Sequence, residues 1–147
     1  MSVHKYFTEE NKLQITNAIR VAETNTSGEI RVHVESYCQD DVLDRAAYIF
    51  EKLEMHKTEL RNGVLFYLAM KDKKFAILGD AGINQKVPED FWESTKDLLI
   101  AKLKDGNFSD GLAAGIIKAG EQLKAHFPYQ KDDVNELSDE ISFGEKE

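Results

Sequence analysis

The stretch FAILGDAG, residues 75–82, is apolar up to Gly79 and then places a single carboxylate, Asp80, between glycines. Such an acid is suited to meeting a cation or ligand, because glycine lets another group approach the backbone closely. Three more oxygen-bearing side chains stand at turn signals: Glu29 after Thr26-Ser27-Gly28, Asn62 in Arg61-Asn62-Gly63, and Asp110 in Asn107-Phe108-Ser109-Asp110-Gly111. Carboxylates with an amide oxygen are hard ligands. Glu29, Asn62, Asp80 and Asp110 are therefore a candidate site for a divalent cation, Ca²⁺ ahead of Mg²⁺. Arg61 offers a guanidinium fork to a phosphate oxygen, and Ser109 stands at a helix start, where free N–H groups favour anions. The structural reading of the same residues is a glycine turn with a solvated Asp80 and an ordinary helix-start acid at Asp110. A second acidic group, Asp40, Asp41, Asp44 and Asp72, is an alternative metal rim whose plainer reading is loop and helix-start acids.

Other chemistries find little support. Cys38 is the only cysteine, which rules out an intrachain disulfide and a cysteine zinc site. The four histidines show no H-x-x-x-H spacing. His33 falls in a strand pattern and reads as a packed residue. The Gly79-x-x-Gly82 spacing is not a dinucleotide fingerprint, because the next helix signal waits until Pro88, so no nucleotide cofactor is expected. No G-x-S-x-G elbow occurs, and no catalytic residue is assigned.

The elements that must position these residues follow from periodicity. Thr8 reads as a helix N-cap, with Ile15, Ala18, Ile19 and Ala22 forming an apolar stripe. Ile30, Val32 and Val34 alternate with Arg31, His33 and Glu35, which predicts a strand with one wetter face. A second helix carries Leu43, Ala46, Ala47, Phe50 and Leu53 on one side. Residues 64–70 are continuously apolar, as in a strand covered on both faces, and 75–78 return as a hairpin. Pro88 opens a third predicted helix and Ser109 caps a fourth, whose Gly111, Gly115 and Gly120 suggest close backbone packing. The order α-β-α-β-β-α-α predicts a small α/β sandwich with a mixed sheet and a right-handed parallel crossover. In that topology Glu29, Arg61, Asn62 and Asp80 share the N-terminal edge of the parallel strands. Asp110 joins them only if the last helix packs over that edge.

The 147 residues fit one domain, taken as 1–128, followed by an acidic tail at 129–147. The tail is expected to be disordered or to form one short docked helix through Val134, Leu137 and Ile141. A net charge of −8 disfavours nucleic acid and suits cations or basic surfaces, with an unidentified protein as a possible partner. The longest unbroken apolar run, seven residues, is too short for a membrane span. A cytoplasmic monomer is the expectation.

Four motifs in order, Thr26-Ser27-Gly28-Glu29-Ile30, Asn62-Gly63-Val64-Leu65, Gly79-Asp80-Ala81-Gly82 and Phe108-Ser109-Asp110-Gly111-Leu112, resemble the TPM domain family over roughly residues 8–128. That family is named for a thylakoid lumen protein, a photosystem II repair protein and a nematode receptor modulator. The resemblance implies a Rossmann-like three-layer α/β/α sandwich with an acidic groove for divalent cations. It also implies either an interaction, repair or assembly factor or a metal-dependent acid phosphatase. Two departures stand out: Arg61 replaces the acid of the family's Asp-Asn-Gly, and Asp80 stands where an aromatic is usual. Relatives often carry an export signal and a membrane anchor, and this sequence shows neither.

Overall fold

The computed structural model describes residues 7–129, 137 and 139–144. Helix α1 (Glu9–Asn25) starts at a reciprocal cap. The Asn11 N–H donates to Thr8 Oγ1 at 3.0 Å and the Thr8 N–H to Asn11 Oδ1 at 3.2 Å, satisfying two donors that a helix start otherwise leaves bare. Strand β1 (Glu29–Glu35), helix α2 (Val42–Lys52) and strand β2 (Gly63–Ala69) form the crossover unit, with β1 and β2 parallel. Strand β3 (Lys74–Gly79) returns antiparallel to β2. Helices α3 (Ala81–Asn84), α4 (Glu93–Lys104) and α5 (Phe108–Leu123) follow, and β4 (Ser142–Phe143) closes the described chain. The sheet order is β3-β2-β1-β4.

Strand alternation sorts the apolar side chains into two cores. Ile30, Val32 and Val34 of β1, with Val64, Phe66 and Leu68 of β2, pack under α1 and α5. On the other face Leu65, Tyr67 and Ala69 meet Ala46, Ile49 and Phe50 of α2. Helices on both faces of a mixed four-stranded sheet make the three-layer sandwich that the element order predicts.

Helices α1 and α5 run parallel, from Asn11 beside Ser109 to Ala22 beside Gly120. The contact is close enough that a Cβ on Gly120 would lie 2.7 Å from the Ala22 Cβ and 2.8 Å from its Cα. The expectation of close backbone packing along this glycine-rich helix is therefore met at Gly120.

Four expectations change. The predicted helix from Pro88 begins only at Glu93, because Phe91 and Trp92 are held in turns: Gln122 Nε2 donates to the Phe91 carbonyl at 3.3 Å, and Phe91 packs edge-on to Trp92 and His126. A one-turn helix that the glycines concealed starts directly after Asp80. In the acidic tail, Val134 lies outside the described residues, and the described part contributes a strand instead of a helix. Ser142 and Phe143 pair parallel with His33 and Val34, and the Gly144 N–H donates to the Val34 carbonyl at 2.8 Å. The free edge of β1 supplies backbone partners that an isolated short helix lacks. In α2, Leu43 is exposed and Ile49 takes a place in the core.

Gly120→Ala tests the helix contact. Alanine is intrinsically about 1 kcal/mol better than glycine inside a helix, yet here overpacking against Ala22 should give a net loss of about 1–3 kcal/mol. Chemical denaturation reads the sign; a stabilised variant would refute the contact.

Candidate functional site

The segment 60–63 ties together the N-terminal edge of the parallel strands. The Glu29 N–H donates to the Asn62 carbonyl at 3.0 Å, the Asp80 N–H to the Gly63 carbonyl at 2.9 Å, and the Gly82 N–H to the Arg61 carbonyl at 2.9 Å. Asn62 Nδ2 reaches back to the Ser27 carbonyl at 2.8 Å. Glu29, Asn62 and Asp80, distant in sequence, thus meet at one edge, and all three are buried. The glycine after Asp80 serves the chain's own backbone. A Cβ at Gly82 would lie 2.2 Å from the Leu60 carbonyl oxygen, so only glycine lets that strand entry pass.

Asp80 does not stand alone. Arg61 closes a two-pronged fork on it, Nε to Oδ2 and Nη2 to Oδ1, both at 2.8 Å. The pair raises the Arg61 guanidinium pKa further, through the hydrogen bond first and the charge second. Asp80 also accepts the Ala81 N–H at 2.7 Å as the cap of α3. Arg61 reaches this geometry from a left-handed backbone, φ 52°, which a side-chain-bearing residue adopts at a cost. Two roles read from the sequence change here: Asp80 is neither a solvated turn acid nor an open ligand, and the fork of Arg61 is already filled by a carboxylate.

The structure separates Asp110 and Ser109 from this edge. The C-terminus of α5 packs by Gly28 and Thr26, so its N-terminus lies at the far end of the helix, about 20 Å away at 1.5 Å per residue. There Asp110 Oδ1 accepts from Gln14 Nε2 at 2.7 Å, and Ser109 Oγ accepts from Asn11 Nδ2 at 3.2 Å. The acids of the alternative rim have structural duties. Asp41 caps α2 through the N–H groups of Leu43 and Asp44, and Asp72 accepts the Cys38 N–H at 2.7 Å. Asp40 and Asp44 are exposed beside them.

Around Glu29 negative charge is crowded. Leu137 donates its N–H to Glu29 Oε1 at 2.7 Å, and this brings Asp139 near Glu23. Burial, then the hydrogen bond and charge of Asp139, push the Glu23 carboxyl up to about 9, so it keeps its proton at neutral pH. Arg20 lies 3.7 Å from Asp139. Asn62 Oδ1, on a residue only 2% exposed, finds no hydrogen-bond partner among the described residues. Among those residues no group of three His, Cys, Asp or Glu side chains is arranged to hold a metal ion. The oxygen donors at this edge are thus the Glu29 carboxylate and the Asn62 amide, with Asp80 held by Arg61.

Sequence reasoning missed a second polar centre. The supposed wetter face of β1 is buried, and Glu35 is its hub. Arg45 grips both carboxylate oxygens, Nε at 2.8 Å and Nη2 at 2.9 Å; Tyr67 donates its hydroxyl to Oε2, and His33 Nε2 lies 3.3 Å from Oε1. His33 Nδ1 is 2.8 Å from the Ser142 hydroxyl, which links this centre to β4. A cavity of about 110 Å³ lies beside it, with Lys52 at its wall. Burial disfavours the Glu35 anion, but the bonds from Arg45, His33 and Tyr67 outweigh it and hold the carboxyl far below the usual range. Burial, and then Glu35, drive the Tyr67 phenol up. The available signal was His33 and Glu35 on one strand face with an arginine in the next helix.

Glu35→Gln should cost about 2–3 kcal/mol, because it leaves Arg45 without its counter-charge. The wild-type contribution is complete above the ordinary carboxylate range, about pH 4.3, and is lost as pH falls below it, since the unfolded chain then takes up the proton first. Urea titrations from pH 7 to pH 3 should show the stability gap between the two proteins shrinking; a constant gap would contradict this.

The comparisons with known proteins agree with this architecture. The BA42 protein of the psychrophilic bacterium Bizionia argentinensis, solved by NMR, is 49% identical with a TM-score of 0.91, over 97% of this chain and 98% of that one. The N-terminal domain of a P. gingivalis protein has a TM-score of 0.68 at 15% identity, over 82% of this chain and 78% of its own. The N-terminal domain of the cg2496 protein from Corynebacterium glutamicum has a TM-score of 0.59 at 13% identity, over 95% and 80%. These last two share the fold alone. No protein with a curated description matches. The sequence pattern of the TPM domain matches residues 3–122, most of the chain, and with the sandwich and its strand-edge motifs in place this protein belongs to the TPM domain family.

Proposed function

We propose that this TPM domain is a divalent-cation-binding interaction module, taking Ca²⁺ ahead of Mg²⁺ at the N-terminal edge of the parallel strands. The observation that carries the reading is Asn62 Oδ1, a buried amide oxygen without a described partner, at the edge where Glu29 begins β1. A buried acceptor left empty is costly, and a cation supplies what it lacks. The donor set of carboxylate and amide oxygens fits a hard ion, and Ca²⁺ tolerates the irregular mixture better than Mg²⁺ does. Glu29 and Asn62 would hold the ion. Asp80 is released to it only if Arg61 lets go. The crowding of Glu23, Glu29 and Asp139 supports the same reading, as does the net charge of −8. A bound cation would stiffen the edge around residues 27–30, 60–63 and 79–83, and a protein partner would read that surface.

The phosphohydrolase alternative is weaker. It asks Arg61 and Ser109 to bind phosphate together, but the Arg61 fork is filled by Asp80 and Ser109 sits at the opposite end of α5.

Residue-resolved NMR during a Ca²⁺ titration should show saturable shifts at residues 27–30, 60–63 and 79–83. Glu29→Gln should abolish them. Arg61→Ala should free Asp80 and tighten binding about tenfold, which is about 1.4 kcal/mol. Shifts confined to residues 40–44 and 72, or none at millimolar Ca²⁺, would overturn the proposal.

A further inference from the structure

The opposite edge of the sheet carries a different feature. An apolar groove of about 460 Å³ opens between the β2–β3 hairpin and the two helices α4 and α5. Leu68, Met70 and Phe75 form its sheet side, and Ile100, Leu103 and Phe108 its helix side. Ile100 is 40% exposed, an unusual position for a branched apolar side chain on a surface this charged. Most of the groove joins the larger core directly, since Met70, Phe75, Leu103 and Phe108 pack against it. The volume falls within the range of small-molecule pockets, roughly 300–1,000 Å³. The C-terminal edge of parallel strands is also where open α/β sheets bind ligands.

Two lysines line this groove, Lys73 on the hairpin turn and Lys104 at the end of α4. Among the described residues neither makes an ion pair or hydrogen bond. Of the nearby acids, Asp72 holds the Cys38 N–H and Asp110 accepts from Gln14, while Asp105 is exposed at the C-cap of α4 beside Lys104. Phe108 is the first residue of the 16-residue helix α5, and its N-cap Asn107 makes no side-chain bond to the first turn. The positive end of that helix adds to the two ammonium groups. In a chain of net charge −8, an apolar slot with unpaired cations at its mouth selects a matching ligand.

We propose that this groove binds a single-chain anionic amphiphile, its alkyl chain against Leu68, Phe75, Ile100 and Phe108 and its carboxylate between Lys73 and Lys104. The site is independent of the cation edge, which lies at the other end of α5. The snorkelling geometry of lysine suits this division, with stems on the apolar wall and charges at the rim.

The test uses octanoate and its uncharged counterpart octan-1-ol, each titrated into the full chain without added metal and followed by NMR. Octanoate should give saturable shifts centred on Leu68, Phe75, Ile100 and Phe108, with affinity at least tenfold above that of octanol. The double charge reversal K73E/K104E, both positions exposed, should weaken octanoate at least tenfold while leaving octanol and the remaining spectrum unchanged. Equal affinity of octanoate and octanol, or octanoate binding untouched by K73E/K104E, would overturn the proposal. So would an apolar peptide that saturates the same residues while octanoate does not, because the groove would then be a peptide site.

Discussion

The register of β1 against β2 depends on the three residues before and at the start of β2. Arg61, Asn62 and Gly63 bond through their carbonyls to the N–H groups of Gly82, Glu29 and Asp80. One short segment therefore fixes where two strands begin and where the hairpin leaves the sheet. A slip of one residue would send every side chain of β1 to the wrong face. The left-handed backbone at Arg61 and the absent side chain at Gly82 are both consequences of this crossing. The Arg61–Asp80 fork then locks the crossing from outside. Arg61 is half exposed and Asp80 is buried, so the pair is anchored on the carboxylate side.

The same register places Glu35 opposite Ala69 at the other end of β1, where the face of the strand turns toward α2. A carboxylate is tolerated there because Arg45, Tyr67 and His33 all meet it. The cluster joins α2, β1, β2 and, through Ser142, the C-terminal strand. It binds four segments by directional bonds where apolar contact alone would allow sliding. The apolar pattern of β2 is thus complemented by a polar one on β1, and both faces of the sheet are covered.

The two ends of the sandwich present different side chains for a structural reason. At the N-terminal edge the tail folds back through Leu137 and Asp139, and burial first, then the hydrogen bond and charge of Asp139, raise the Glu23 carboxyl pKa. At the C-terminal edge the hairpin turn and the end of α4 present lysines over exposed apolar surface.

Much of the fold was legible in the sequence. The Thr8 cap, the alternation of β1, the unbroken apolar run of β2 and the hairpin are local patterns, and they fixed the order of elements and the meeting of Glu29, Asn62 and Asp80 at one edge. The family membership was legible from four short motifs. The direction of α5 was not, because nothing local says whether a terminal helix packs parallel or antiparallel to α1, and so the sequence left open whether Asp110 reaches that edge. The strand made by Ser142 and Phe143 was also hidden: it exists through the free edge of β1, not through its own two residues. By itself, then, the sequence determined which residues face inward and in what order the layers form, since those depend on spacing along the chain. Only the tertiary structure decided which charges neutralise one another, Arg61 with Asp80 and Arg45 with Glu35, because pairing depends on distances between elements that the chain brings together only when it folds.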